Sequence, residues 1–194
     1  MGAFAESISN ENVASLPAAR FGGRIIVVDD EQSLAEACEY LSRQSVLGFD
    51  TETRPSFRAG EINRVALLQL STYDRCYLIR LCRVKPVQRL LSILERSDIA
   101  KIGADVAGDI RSLSRVRRFT PRGFIDLQSE VAKFGIADRS LRKMSAIVLG
   151  ERVSKAQRLS NWEAQTLTEQ QRMYAATDAW ICLKIYDALL SAAE

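Results

Sequence analysis

Two apolar runs separated by only two residues constrain this chain most. Residues 64–72 and 75–80 both read as strands, and Tyr73-Asp74 between them leaves room only for a tight turn, so the pair forms an antiparallel hairpin. Further strands are expected at 24–28, 46–51, 99–103 and 123–126. Helices are expected between and after them. Asp29-Asp30-Glu31 opens one, with Leu34, Ala37, Cys38 and Leu41 on its apolar face. Pro86 begins another, with Val87, Leu90, Leu91 and Leu94. Residues 106–113 form a third, Asp126 caps a fourth that runs to about Phe134, and Ser140 starts a fifth that ends near Gly150. Residues 151–163 have no clear period. Thr168-x-x-Gln171 is a capping box that opens a long last helix to about Ala192. Strands cluster early as a meander and then alternate with helices, which specifies an α/β domain, a mixed sheet flanked by helices. Residues 1–22 read as a loosely held lead-in with a helical turn or two around 10–16, and 23–194 as the domain.

What chemistry such a domain can carry is limited by an absence: the chain has no histidine. Serine–histidine triads, cysteine–histidine pairs and histidine-containing zinc sites are therefore excluded. Acid–base and metal chemistry must rest on carboxylates, Tyr, Lys or Cys. The cysteines, Cys38, Cys76, Cys82 and Cys182, form no C-x-x-C pair and read as buried thiols in a reducing compartment. No secretory signal and no membrane span is expected, which points to an intracellular, cytoplasmic setting with the nucleus also open. The net charge of +3 is unevenly spread. Residues 1–50 carry 3 basic and 8 acidic groups, whereas 51–122 carry 15 and 7. The arginine-rich middle suits a polyanionic partner or, alternatively, a solvated face.

Asp50 and Glu52 lie near the end of the 46–51 strand, in Phe49-Asp50-Thr51-Glu52-Thr53. Strand side chains alternate, so both carboxylates project to one face while Phe49 and Thr51 point to the other. Side by side in an apolar setting they repel each other unless a cation sits between them, and an all-oxygen donor set selects a hard cation such as Mg²⁺ or Mn²⁺. On the last helix Tyr174 and Asp178, at i and i+4, share a face with small residues beside both. In Lys101-Ile102-Gly103-Ala104-Asp105-Val106-Ala107-Gly108-Asp109, Asp105 is expected to cap a helix, leaving Asp109 in its first turn. Gly103 and Gly108 have the spacing of a phosphate loop, but no Lys-Ser/Thr follows, which rejects a nucleotide-binding P-loop.

Together these segments resemble a known family. Gly48-Phe49-Asp50-Thr51-Glu52-Thr53 with Val65-Ala66-Leu67-Leu68-Gln69-Leu70-Ser71-Thr72 looks like the first motif of the DEDD 3′–5′ exonucleases. Lys101 to Asp109 resembles the second, and Ser160-Asn161-Trp162-Glu163, Leu167-Thr168 and Tyr174-x-x-x-Asp178 the third, in its tyrosine form. The nearest subgroup is the RNase D and Werner-syndrome-type exonuclease domain. The resemblance implies an RNase H-like fold, a mixed five-stranded sheet with helices on both faces. It implies that Asp50, Glu52 and Asp178 bind one divalent ion, that Asp50 reaches a second ion with support from Asp109, and that Tyr174 orients the attacking water. Two Mg²⁺ or Mn²⁺ ions would balance the four carboxylates and could serve both the attacking and the leaving oxygen.

The implied activity is hydrolysis of phosphodiester bonds from the 3′ ends of DNA or RNA, releasing nucleoside 5′-monophosphates. Alternatives are an RNase D-like enzyme trimming RNA 3′ ends and a catalytically silent nucleic-acid-binding module. Lys155 and Arg158, ahead of the third motif, are candidate phosphate contacts, and Thr53 a candidate substrate contact. Arg111, Arg115, Arg117, Arg118 and Arg122 could extend the path. Trp162 could stack on a base or pack in the core.

Overall fold

The computed structural model describes residues 3–56 and 63–193. Its elements run α1 (Asn10–Ser15), β1 (Arg24–Val28), α2 (Glu31–Leu41), β2 (Val46–Thr53), β3 (Val65–Ser71), β4 (Arg75–Arg80), α3 (Gln88–Glu95), β5 (Ala100–Gly103), α4 (Val106–Val116), β6 (Phe124–Asp126), α5 (Leu127–Ala132), α6 (Leu141–Leu149) and α7 (Glu169–Ala193). The strands make one sheet in the order β1-β4-β3-β2-β5-β6. The expected hairpin is β3–β4, with Leu68 opposite Ile79, and β2 pairs antiparallel to β3. β1, β5 and β6 each run parallel to their neighbours. The sheet thus has six strands rather than the five implied by the resemblance. All six lie where strands are expected: β1 forms one edge, parallel to β4, and the short 124–126 segment the other, parallel to β5.

Alternation along the strands divides the core in two. Leu47, Phe49, Leu68, Leu70 and Ile79 face α2, α3 and α4. Leu67, Leu78 and Ile102 face α7, with α5 and α6 packed outside it. Helices therefore cover both faces, as expected. The capping box at the start of α7 is formed reciprocally, Gln171 N donating to Thr168 Oγ1 at 3.1 Å and Thr168 N to Gln171 Oε1 at 3.0 Å.

One contact sets the height of α7 above the sheet. A Cβ on Gly48 would stand 2.0 Å from the carbonyl oxygen of Ala179, so the helix backbone rests directly on β2 there. Ala175, Ala176 and Ala179, all fully buried, supply the matching thin surface on the helix.

The lead-in is not loose. Val13 and Phe21 are buried. Ala19 N donates to Arg152 O at 2.8 Å, Arg152 N to Pro17 O at 2.9 Å, and Phe21 N to Thr177 Oγ1 on α7 at 3.1 Å. The aperiodic 151–163 segment supplies this docking partner, a pairing between positions over 130 residues apart that local pattern cannot reveal. Among the described residues no helix is long and apolar enough to cross a membrane.

Because the Gly48 contact leaves no room for a methyl group, Gly48→Ala should destabilise the fold by roughly 1–3 kcal/mol or more. Denaturant titration reads this directly; an unchanged midpoint would mean that α7 can lift without cost.

Candidate active site

The site forms where β2 outruns a neighbour. β5 pairs with β2 only from Val46 to Gly48, so Asp50, Thr51 and Glu52 lie beyond that ladder while still paired with β3. Alternation sends Asp50 and Glu52 to the same side as Gly48, under α7. There they meet Asp178: one carboxylate oxygen from each of the three lies within 4.8 Å of the others. Tyr174 stands one helical turn before Asp178 on α7 and lines the same cavity as Asp50 and Glu52. From the opposite face Asp109, in the first turn of α4, accepts a hydrogen bond from Thr51 Oγ1 at 2.5 Å. Thr51 thus points away from Asp50 and Glu52, as alternation requires, and ties the fourth carboxylate to the same strand end.

These acids repel one another in a buried setting. Burial first, then Asp178, pushes Asp50 well above the ordinary carboxylate range. Glu52 is pushed up to about 10 by burial and then by Asp50, Asp178 and Asp109. Burial and then Asp50 take Asp109 to about 8 despite the Thr51 hydroxyl. Asp178 is raised to about 7 by burial, with the Tyr174 hydroxyl pulling it back. Burial and the adjacent carboxylates also raise Tyr174, so its phenol stays protonated and a donor at neutral pH. Among the described residues no lysine or arginine forms an ion pair with any of the four. An oxygen-only cluster of like charges without a protein counter-ion fits a hard divalent cation.

The structure brings together Asp50, Glu52, Asp109, Tyr174 and Asp178 as expected from their motifs. The second-motif loop differs in detail. Asp105 occupies the N-cap position of α4 but has φ 58° and ψ 40° and makes no capping bond. Its carboxylate lies against the Gly108 position instead. Asp126 does the capping, accepting from Val106 N at 3.0 Å through one oxygen and from Gln128 N at 2.9 Å through the other. One aspartate therefore anchors the starts of both α4 and α5.

Candidate substrate contacts divide. Thr53, Arg158, Arg111 and Arg115 line a cavity of about 560 Å³ beside Glu52 and Asp109. Lys155 is exposed on the same loop as Arg158. Arg117 is drawn off to Pro86 O at 2.6 Å, while Arg118 and Arg122 are exposed and line neither cavity at the acids. Of the two roles open to Trp162, stacking on a base and packing in the core, the structure shows the second. Trp162 is fully buried, with its ring centroid 6.0 Å from that of Tyr174, and cannot stack on a base. It packs behind Tyr174 because buried Arg80 holds the next turn through the carbonyls of Ala164 and Gln165.

Two neighbours of the acids were not anticipated. Arg139, just before the α6 cap, lines the cavity that holds Asp50, Glu52, Tyr174 and Asp178. Gln69, directly opposite Asp50 in the sheet, is fully buried with neither amide atom paired among the described residues. A polar residue inside an apolar strand was the available signal for Gln69. Arg139 carried none, because only the tertiary fold brings it to the strand end.

A family model described as 3′-5′ exonuclease matches residues 25–194. The chain belongs to the 3′-5′ exonuclease family. It is 34% identical over 190 residues to the mouse (Mus musculus) bifunctional 3'-5' exonuclease/ATP-dependent helicase WRN, a match covering 90% of this chain and 13% of that protein. The Aedes aegypti Nibbler EXO domain superposes with a TM-score of 0.78 at 26% identity, covering 87% of this chain and 88% of that one. Escherichia coli RNase D, described as an exoribonuclease involved in structured RNA processing, gives a TM-score of 0.79 at 25% identity over 87% of this chain and 45% of its own. The exonuclease domain thus spans a small part of the mouse relative and under half of RNase D.

The raised carboxylates make a signed prediction. Between their unfolded value near 4 and their folded values, the native state binds more protons than the unfolded chain, so stability falls as pH rises. In EDTA, melting temperature should drop from pH 5 to pH 8, and a divalent cation should flatten the slope. Asp109→Asn should raise the metal-free melting temperature at pH 8 by roughly 2–4 °C, equivalent to about 1 kcal/mol. Calorimetry showing a slope of opposite sign would mean that the acids do not repel one another in the folded state.

Proposed function

We propose that the domain is a metal-dependent 3′–5′ exonuclease that hydrolyses the terminal phosphodiester of DNA or RNA and releases nucleoside 5′-monophosphates. The observation that carries this reading is the convergence of Asp50, Glu52 and Asp178 within 4.8 Å, with Asp109 and Tyr174 adjoining. Asp50, Glu52 and Asp178 would hold one Mg²⁺ or Mn²⁺, and Asp50 with support from Asp109 a second. Bound there, two such ions supply Lewis-acid stabilisation of charge on the attacked phosphate and on the departing 3′ oxygen.

The protein's own groups do the rest. Tyr174, protonated and backed by buried Trp162, holds a hydroxyl donor at a fixed place beside Asp178 and orients the attacking water. Thr51 fixes the Asp109 carboxylate. Arg111, Arg115 and Arg158 offer guanidinium groups to the backbone next to the acids, and Lys155 adds charge on the loop. The free thiols support a reducing, intracellular setting, cytoplasm or nucleus.

A second reading, trimming of RNA 3′ ends, is favoured by the likeness to the E. coli exoribonuclease. Parallel digestion of matched DNA and RNA oligonucleotides separates the two.

Asp50→Asn should lower kcat roughly 10³-fold or more while sparing binding of single strands, and EDTA should abolish turnover. Cleavage that survives EDTA would reject the metal-dependent reading. Arg115→Gln should reduce the slope of log affinity against log salt by about 0.7, one single-strand phosphate contact. Binding titrations at several salt concentrations read that slope, and an unaltered one would place Arg115 off the path.

A further inference from the structure

Three cavities open at the acids and differ in chemistry. One, of about 560 Å³, is lined by Arg111, Arg115 and Arg158 and suits phosphate. A smaller one, of about 250 Å³, holds the acids themselves with Arg139. The third, of about 500 Å³, lies on the far side of Tyr174 and Asp178, between the lead-in and the first turns of α7. Its lead-in wall is Ala18, Ala19 and Arg20, and Met173 and Tyr174 face it from the helix.

We propose that this third cavity receives a nucleobase of the substrate strand. The inference rests on the exonuclease reading and adds a subsite to it. Size is suitable, since pockets of about 300–1,000 Å³ accept compact ring systems. Charge argues for a base over a phosphate: two carboxylates, Glu169 and Asp178, line the cavity against a single guanidinium, Arg20. The alanines present a thin apolar wall, and the Met173 thioether is a polarisable partner for an aromatic ring. Gln170, also in the lining, offers an amide that can donate to or accept from a base edge.

The wall is held in place. Ala19 N bonds Arg152 O at 2.8 Å, Arg152 Nε bonds Leu16 O at 2.9 Å, and Phe21 N bonds Thr177 Oγ1 at 3.1 Å. Each bond ties the lead-in to the elements that carry the acids or lie beside them. Continuity with the reaction site is direct, because Tyr174 and Asp178 line both this cavity and the one that holds Asp50 and Glu52.

The test uses the full chain, Mn²⁺ and a set of single-stranded oligonucleotides, each with one abasic residue at the 3′ terminus or at one of the next few positions. For the wild type, KM should rise roughly 5- to 50-fold for one abasic position and little for the others. Ala18→Trp, which fills the cavity from an exposed position, should raise KM for the intact strand by a similar factor and erase the abasic penalty. Gln170→Trp, filling it from the other wall, repeats the measurement should Ala18→Trp fold poorly. In EDTA, a 2-aminopurine at the sensitive position should change fluorescence on binding to the wild type and not to the filled variants. Uniform tolerance of abasic residues, or a penalty that persists in the filled variants, would overturn the subsite. Failure of the wild type to cleave any strand would instead strike the exonuclease reading, and the fluorescence measurement would then decide the subsite alone.

Discussion

Gly48 has no side chain, and for that reason Asp178 can stand over Asp50. The Ala179 carbonyl occupies the space where a Cβ on Gly48 would lie. Two residues further along the strand, on the same face, is Asp50; one residue back along the helix is Asp178. The alternation of a strand and the turn of a helix convert one close backbone contact into a cluster of carboxylates. Tyr174, one turn earlier, is placed by the same contact. Displacement of α7 from the sheet would carry Asp178 and Tyr174 away from Asp50 and Glu52.

The cluster has a cost, and other parts of the fold resist it. Buried and half-buried carboxylates without protein counter-ions push outward on β2, α4 and α7, the elements that carry them. Each of these is fastened nearby. Asp126 anchors the start of α4. The lead-in bonds Thr177, next to Asp178. Arg80, itself buried, ties β4 to the turn that supports Trp162 and hence Tyr174. These fasteners act on backbone and on apolar packing, so none of them neutralises the charge. The site is fastened on several sides and still electrostatically unsatisfied, a combination that favours a cation.

Much of this was legible in the chain, because the governing patterns are local. Strand parity placed Asp50 and Glu52 on one face, helical spacing joined Tyr174 to Asp178, and the Thr168–Gln171 capping box marked where that helix begins. What was not legible depends on distant partners. The lead-in looked loose because its bonds go to Arg152 and Thr177. Trp162 was open to base stacking as well as to core packing, because nothing local announces that Arg80 closes the turn behind it. Asp105 looked like a cap, since residue type and position both fit, but its left-handed backbone turns the carboxylate onto Gly108 and the duty passes to Asp126.

The surroundings of the acids are sorted by chemistry, and the sorting follows from topology. α4 leaves the strand end with arginines on its exposed side, so positive charge collects by Asp109. α7 approaches through alanines, because only thin side chains allow its backbone onto β2. On the far side of Tyr174 the helix shows a different face, and the cavity there is walled by Met173 and by the lead-in alanines, with Arg20 the one cation in its lining. A strand of nucleic acid is charged along its backbone and aromatic along its bases. A site with guanidinium groups on one side of its carboxylates and a thin apolar wall on the other discriminates between those two edges before any particular base is read.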